Sequence, residues 1–385
     1  MNFYFVYLIF SISLAVAYKL IMLRYVFFWK KLPEWTVPND FAPTTFVSVL
    51  VAARNEAENI ESCIKSIFQQ NYPTHLFEII VIDDHSNDST AAVVRSANIP
   101  NLRLLALKDF LTEGDKNITS FKKKAIEIGI SQAKGDWIVC TDADCTMNEN
   151  WLSLIVSFFE QKKLQFVAAP VCFWKEKTAL ERFQSLDFLG MMGVAGAGVE
   201  GKFMSMCNGA NLAYSKAAFY AVGGFGGIDR LASGDDMMLM QKISKKFPTQ
   251  IGFLKNPAAA TFTFAKPTLR SFFQQRIRWA SKSSSYDEKK VTLLLAIVFF
   301  FCCNIFLSGL LAVFFTHFWT IFLFQILVKA AIDFIFLQPL ARYFHRSDLL
   351  QSFFTSFLLH TAYIVSVGTL ANFSQKYEWK GRRVR

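Results

Sequence analysis

The sequence predicts an α/β domain: an open parallel sheet with helices on both faces, set between apolar segments long enough to cross a membrane. Three observations predict it. Strand-like and helix-like patterns alternate with no hairpin signal between them. Apolar residues crowd into 2–29 and 291–373, while 30–290 has the composition of a soluble domain. Charged clusters fall at the ends of successive strand patterns, where open α/β sheets bind ligands.

Residues 2–29 are apolar except for Lys19 and Arg24. Ala15-Val16-Ala17 resembles a signal-cleavage site, but no positive charge precedes the run and it continues to Trp29, so an uncleaved anchor is expected. "FVSVLVAA" (46–53) is a buried strand, rich in β-branched residues. A helix follows, with Ile60, Ile64 and Ile67 at helical spacing. Then come the strand "FEIIVIDD", the helix "DSTAAVVRSA" with Asp88 as its cap, the strand "LRLLAL" and the helix "KKKAIEIGISQAK", stopped by Gly135. "DWIVCTDADC" is the next strand. "GVAGAG" (193–198) has neither the spacing nor the preceding strand of a dinucleotide fingerprint and reads as a flexible or close-packed segment. No Walker-type glycine loop occurs, so phosphates would be met by metal and basic side chains.

"PTLRSFFQQRIRWASKS" reads as an amphipathic, membrane-surface helix. Residues 291–315, 318–337 and 349–373 are each about the twenty residues a bilayer requires. Lys329 and Asp333, four apart, can pair on one helix face. The expected layout is an anchor at 1–29, a cytoplasmic domain at 30–265, an interface helix at 266–290, about three spans at 291–373 and a basic tail at 374–385. Three crossings would leave that tail outside, against the charge rule, so either one segment is re-entrant or the tail is an exception.

The net charge is +11, and hydrophobic residues make up 53% of the 385. Lys30, Lys31, Arg276, Arg278, Lys282, Lys289 and Lys290 gather at the ends of the apolar segments, which suits an anionic lipid surface. The positive-inside rule places the middle domain in the cytoplasm, on the cell (inner) membrane. No zinc-finger or RNA-recognition motif is present, which excludes nucleic acid as a partner. The seven cysteines show no CxxC spacing and Cys302-Cys303 lie in an apolar span, as a reducing compartment allows.

Three clusters fall at strand ends: Arg54-Asn55-Glu56, Asp83-Asp84-His85 and Asp142-Ala143-Asp144. Strand alternation lets Asp142 and Asp144 face one side. Carboxylates gathered there repel one another unless a cation joins them. A hard divalent ion held through oxygen, with water and phosphate completing its shell, fits that composition.

"VAARNEAENI", "VIDDHSND", "TDADC", "CNGANLAYSK", "SGDDMML" and "QQRIRW" occur in the order seen in the family 2 inverting glycosyltransferases of the GT-A fold. Over residues 47–279 the chain resembles the membrane-anchored members, which include cellulose and hyaluronan synthases and ceramide-type glucosyltransferases. The resemblance implies a GT-A nucleotide-sugar-binding domain with flanking transmembrane helices. It implies transfer of a sugar from a nucleotide-sugar, a UDP-hexose, to a lipid or glycan acceptor, with Mg²⁺ or Mn²⁺ as cofactor. Asp144 and Asp142 then approach the metal, Asp144 as the more direct ligand. Arg54, Glu56 and Asp84, with Asp83 beside them, serve the nucleobase. Lys122 or Lys123 serves the diphosphate. Asp236 is the base, with Asp235 as the fallback. Gln275, Arg278 and Trp279 form the QxxRW group on the donor side, Trp279 also walling the acceptor, and Asn208, Gly209 and Asn211 lie between donor and acceptor. His85 stands where the family most often has glycine. A processive polysaccharide synthase and a non-catalytic nucleotide-sugar-binding subunit are the alternatives.

Overall fold

β-Branched runs build the sheet. The computed structural model describes residues 3–113, 118–229, 234–281, 288–373, 377–379 and 382–384. Its chain divides into two compact units, one of residues 32–174, 205–264 and 376–385, the other of residues 1–31, 175–204 and 265–375.

The first unit holds β1 (Val47–Ala53), α2 (Ile60–Phe68), β2 (Phe77–Asp83), α3 (Thr90–Ser96), β3 (Leu102–Ala106), α4 (Phe121–Gln132), β4 (Trp137–Asp142), β5 (Thr146–Met147), α5 (Trp151–Lys162), β6 (Phe166–Ala168) and β7 (Val171–Phe173). It continues with β8 (Leu212–Ser215), α7 (Lys216–Ala221), α8 (Asp235–Lys246), β9 (Ile251–Phe253) and β10 (Thr261–Thr263). The main sheet runs β3-β2-β1-β4-β8-β6-β9, and a smaller one runs β5-β10-β7. Val47, Val49, Val51, Ile79 and Val81 have no exposed surface, and Ile60, Cys63, Ile64 and Ile67 of α2 pack into the same core. Gly135 is required at the entry to β4. A Cβ there would lie 2.8 Å from Ser48 N and 2.9 Å from Phe46 O, backbone atoms that cannot yield.

The expectation of a parallel sheet needs correction. β1 is parallel to β2 and β4, and β2 to β3, but β8 is antiparallel to β4 and to β6. Strand direction belongs to the connection, not to the local pattern. Here the segment before β8 includes residues 175–204, which belong to the other unit.

The second unit holds α1 (Phe3–Lys31), α6 (Ala179–Glu200), α9 (Leu269–Ala280), α10 (Lys289–Phe314), α11 (Phe318–Tyr343) and α12 (Phe353–Phe373). Among the described residues, four helical stretches are long and apolar enough to cross a membrane: Phe3–Lys31, Lys289–Phe314, Phe318–Tyr343 and Ser347–Ala371. Their burial inverts the soluble pattern. Phe3, Phe5, Phe10, Phe27, Phe300 and Phe314 face outward, while Ser11, Asn304, Ser308, Gln325 and Lys329 are buried. Asn304 donates to Ser11 at 2.9 Å and Ser308 to Gln325 at 2.8 Å. Polar groups that bond one another inside and phenylalanines outside suit a lipid solvent. Lys329 and Asp333 pair at 2.5 Å, and the Tyr18 hydroxyl donates to the same carboxylate.

"GVAGAG" is neither loop nor flexible segment: it is helical, inside α6. Close packing explains its composition, since a Cβ on Gly193 would stand 2.4 Å from Leu340 Cδ1. The tail contributes the antiparallel pair β11 (Tyr377–Trp379) and β12 (Arg382–Val384). Lys282, Lys376, Lys380 and Arg385, which carry part of the expected basic character, lie outside the described residues.

Candidate active site

The sheet register brings the three charged clusters together. Ala52 of β1 is level with Ile82 of β2 and with Asp142 of β4. Arg54, Asp84 and Ala143 therefore lie just beyond three neighbouring strand ends. Asn55 and His85 turn the chain there with φ of +52° and +53°, a conformation open to few residues besides glycine, asparagine and histidine among them.

Side chains stitch the first two turns to each other. Arg54 Nη1 donates to the carbonyls of Asp84 at 2.8 Å and His85 at 3.0 Å. Asn55 N–H donates to Ser86 Oγ at 3.0 Å, and Asn55 Oδ1 accepts from Asn87 N–H at 2.9 Å. Glu56 N–H donates to Thr90 Oγ1 at 2.8 Å, and Ala57 N–H to Asp88 Oδ2 at 3.1 Å. Asp88 also accepts from Thr90 N–H at 3.0 Å, but the cap position of α3 is Ser89, with no side-chain cap bond, so the expected Asp88 cap is corrected to a turn contact one residue earlier. Arg54 and Asp84 are buried, with His85 Nδ1 3.0 Å from the Asp84 carboxylate. Glu56 and Asp83 remain half-buried; Glu56 accepts from Asn59 Nδ2 at 2.9 Å and Asp83 from Ser86 N–H at 3.4 Å. The sequence places Asn55 in the first strand-end cluster without giving it a role, and does not single out Ser86.

A second group gathers around Lys122, in the first turn of α4. Its ammonium lies 2.8 Å from Asp142 Oδ1 and 3.4 Å from Asp235 Oδ2. Burial alone would lower its pKa, but Asp142, Asp235 and Asp236 outweigh burial and hold it well above the ordinary lysine value. Gly234, at φ +84°, starts α8 so that Asp235 and Asp236 fall in its first turn. Asp236 accepts from Gly209 N–H at 2.9 Å and from Met237 N–H at 2.7 Å. Those two donors fix the orientation of its carboxylate. Of the two lysines left open by the sequence, Lys122 meets the acids. Lys123 is buried instead, donates to the Ile228 carbonyl at 2.6 Å and has its pKa lowered by that burial.

Asp144 lies in the turn after β4, half-buried, with the Cys145 thiol 3.6 Å away. Burial, with Asp144 and Asp142 nearby, pushes the thiols of Cys63 and Cys145 up, so both are unreactive as thiolates. Among the described residues no group of three or more His, Cys, Asp or Glu side chains forms a metal cage. Two carboxylates in one turn suit a hard ion that arrives with phosphate oxygens and water, not one held by protein alone.

Asn208 accepts from Ala210 N–H at 2.9 Å and so shapes the turn carrying Gly209. Asn211 requires a correction. It is wholly buried, donates to the carbonyls of Pro170 at 2.6 Å and Ala259 at 2.8 Å, and accepts from Trp151 Nε1 at 2.9 Å. Every polar atom serves the scaffold, so it holds the segment in place instead of touching an acceptor. Gln275, Arg278 and Trp279 sit on α9, in the other unit, where Trp279 lies 5.9 Å from the Phe188 ring. Gln275 Oε1 is buried with no hydrogen-bond partner among the described residues.

Comparison with known proteins finds glycosyltransferases. The glycosyltransferase AglE of Haloferax volcanii is 31% identical over 150 residues, 38% of this chain and 46% of that protein. A poly-β-1,6-N-acetyl-D-glucosamine synthase of Staphylococcus epidermidis is 25% identical over 267 residues, 66% of this chain and 60% of that one. The chain thus spans about half to three-fifths of the length of these curated relatives. Among solved structures, the mannosyltransferase PcManGT from Pyrobaculum calidifontis, in complex with GDP-Man and Mn²⁺, superposes with a TM-score of 0.60 at 20% identity, covering 96% of this chain and 99% of that one. It is a likeness of fold. The model for glycosyl transferase family 2 matches residues 48–223, and that for glycosyl transferase family group 2 matches 137–371, more than half of the chain. On that match the chain belongs to the family 2 glycosyltransferases, a GT-A domain flanked by long apolar helices.

Proposed function

We propose that the protein is a membrane-bound inverting glycosyltransferase that moves a hexose from a UDP-sugar to a lipid acceptor. The observation that carries this reading is the meeting of Lys122, Asp142, Asp235 and the Gly209–Asp236 contact at one sheet edge, from four separate stretches of chain. In this reading residues 30–265 are the catalytic domain, 266–290 the interface helix, and 1–29 and 291–373 the membrane segments, with a basic tail at 374–385. Lys30 and Lys31 in the last turn of α1 support a cytoplasmic catalytic domain.

The base must accept a proton from the acceptor hydroxyl as its oxygen attacks the anomeric carbon and the bond to the diphosphate breaks. Asp236 has that role. The amides of Gly209 and Met237 hold its carboxylate in one orientation, and Asp235, neutralised by Lys122, stands beside it. Lys122 also lies beside Asp142, where it can meet diphosphate charge, and Arg278 is assigned the same partner by the family resemblance. A Mg²⁺ or Mn²⁺ ion bound at Asp144 and Asp142 would offset further negative charge on the leaving group. Asp84 accepting from a ring N–H would favour uracil, sharing its carboxylate with the His85 imidazole. Gly209, without a side chain, lets backbone approach the sugar, and Trp279 offers an apolar wall to the acceptor.

A processive polysaccharide synthase is the second reading, supported by similarity to the staphylococcal synthase. Membranes carrying the protein, given labelled UDP-hexoses with Mn²⁺ or Mg²⁺, separate the two. Label extracted into organic solvent, and lost with chelator, is expected; label in polymer would favour the synthase. No transfer alongside measurable UDP binding would favour a non-catalytic subunit. Asp236→Asn is expected to lower transfer by about 10²–10⁴-fold while keeping UDP binding. Asp144→Ala is expected to weaken Mn²⁺-dependent UDP binding as well. Wild-type turnover in Asp236→Asn would remove it as the base.

A further inference from the structure

Arg276, the first arginine of "QQRIRW", is buried although it stands on an amphipathic helix. Its guanidinium lies 2.8 Å from Asp187 of α6, a charge contact without the alignment of a hydrogen bond. It also lies over the rings of Trp279 at 4.6 Å, Phe272 at 5.2 Å and Tyr363 at 5.7 Å. Asp187 in turn accepts from the Tyr363 hydroxyl at 3.0 Å and faces His360 Nε2 at 3.7 Å. His360 Nδ1 is 3.3 Å from the Lys329 ammonium. An ammonium can only donate, so Nδ1 accepts and the imidazole hydrogen sits on Nε2, toward Asp187. The Asp187 carboxylate is thus where α6, α9 and α12 meet, and the chain of polar contacts continues to Lys329 and Asp333 of α11.

α6 offers α9 a continuous stripe. Gln184, Asp187, Phe188 and Met191 fall at i, i+3, i+4 and i+7, one face of a helix. The Gln184 amide bonds both backbone groups of Lys266, at 2.8 and 3.0 Å, just before the Thr268 cap that opens α9. Asp187 takes Arg276, Phe188 lies beside Trp279, and Met191 Sδ accepts from Arg276 Nη1 at 3.3 Å. An acid this buried in an apolar stretch is disfavoured without a partner, and among the described residues Arg276 supplies the full opposite charge at contact distance.

We propose that Asp187 is the positioning residue of α9: through Arg276 it sets the rotation and axial register of the helix that carries Gln275, Arg278 and Trp279. Two residues turn a helix by about 200°. Fixing Arg276 inward therefore sends Arg278 to the opposite face. The consequence for catalysis rests on the reading of Arg278 and Trp279 as donor and acceptor groups; the consequence for α9 does not.

The test uses the full chain in lipid nanodiscs, with Asp187→Asn, Asp187→Glu and the milder Tyr363→Phe, which leaves the ion pair in place. Hydrogen exchange of α9 amides, UDP binding and sugar transfer are measured for each. Asp187→Asn is expected to speed α9 exchange about tenfold while α10 and α11 stay protected. It is expected to lower kcat about 100-fold, the cost of a misplacement of about 1 Å, with any rise in donor KM smaller than that fall. Asp187→Glu should recover most of that loss, and Tyr363→Phe should fall between wild type and Asp187→Asn. Unchanged α9 exchange in Asp187→Asn would overturn the proposal, as would a loss confined to KM or one that Asp187→Glu does not relieve. If Asp187→Asn fails to fold, Tyr363→Phe decides by the same readouts. A wild-type chain that transfers no sugar overturns the functional reading alone, and α9 exchange still decides the positioning role.

Discussion

Lys122 neutralises two carboxylates, Asp142 and Asp235, that reach it from different strands and helices. Lys122→Met would leave those acids facing each other with no cation between them. Transfer is expected to fall by about 10²–10³-fold, the effect of removing a preorganised electrostatic partner. The lysine's pKa is raised on folding, so its contribution to stability is fully present below the ordinary value of 10.5 and is lost as pH rises through the folded value. The wild type should therefore lose melting temperature above about pH 10.5 more steeply than Lys122→Met. The lysine triplet could not rank Lys122 against Lys123, because neighbouring helical positions differ by about 100° in direction and the start of a helix is legible only to within a residue or two. Asn211 misled for a different reason: a sequence displays polarity but not burial, and a wholly buried amide looks the same as a ligand-binding one.

α6 shows what patterning conveys at the scale of an element and what it hides. Its start, which the sequence reading did not place, is fixed by a reciprocal capping box of Thr178 and Glu181. Its glycine-rich second half reads as flexible or close-packed, and it is the latter: small residues in the helix allow close approach by Leu340 and Phe336 of α11. Gly193→Val is expected to destabilise the protein by about 1–3 kcal/mol through overpacking, visible as a lower melting temperature in detergent. β1, β2 and β4 were legible because seven- and six-residue apolar strands leave a clear pattern. β6, β9 and β10 are three residues each, too short for a period to emerge. The Asp187–Arg276 pair joins residues 89 positions apart, and no local pattern could announce it.

Across the whole molecule, the long apolar helices were the most legible feature, because an unbroken run of about twenty apolar residues matches the thickness of a bilayer and outlasts an ordinary core helix. The Lys329–Asp333 pair was legible from its spacing of four; what the sequence hid were the groups from other helices that join it, Tyr18 and His360. Lys329 is wholly buried, and its loss would strand Asp333. Lys329→Met is expected to cost about 3–5 kcal/mol, whereas Lys329→Met with Asp333→Leu should come close to wild type, as measured by thermal unfolding in detergent. The pair also has an electrical consequence. A potential across a bilayer acts on displaced charge, about 2.3 kcal/mol for one elementary charge moved through 100 mV. In α11 the two opposite charges are 2.5 Å apart, so across a hydrocarbon layer of about 30 Å the pair couples to that field by no more than about 0.2 kcal/mol. With α11 across a bilayer, this pair would leave turnover in energised vesicles the same at either sign of the potential: two opposite charges held so close make a poor voltmeter.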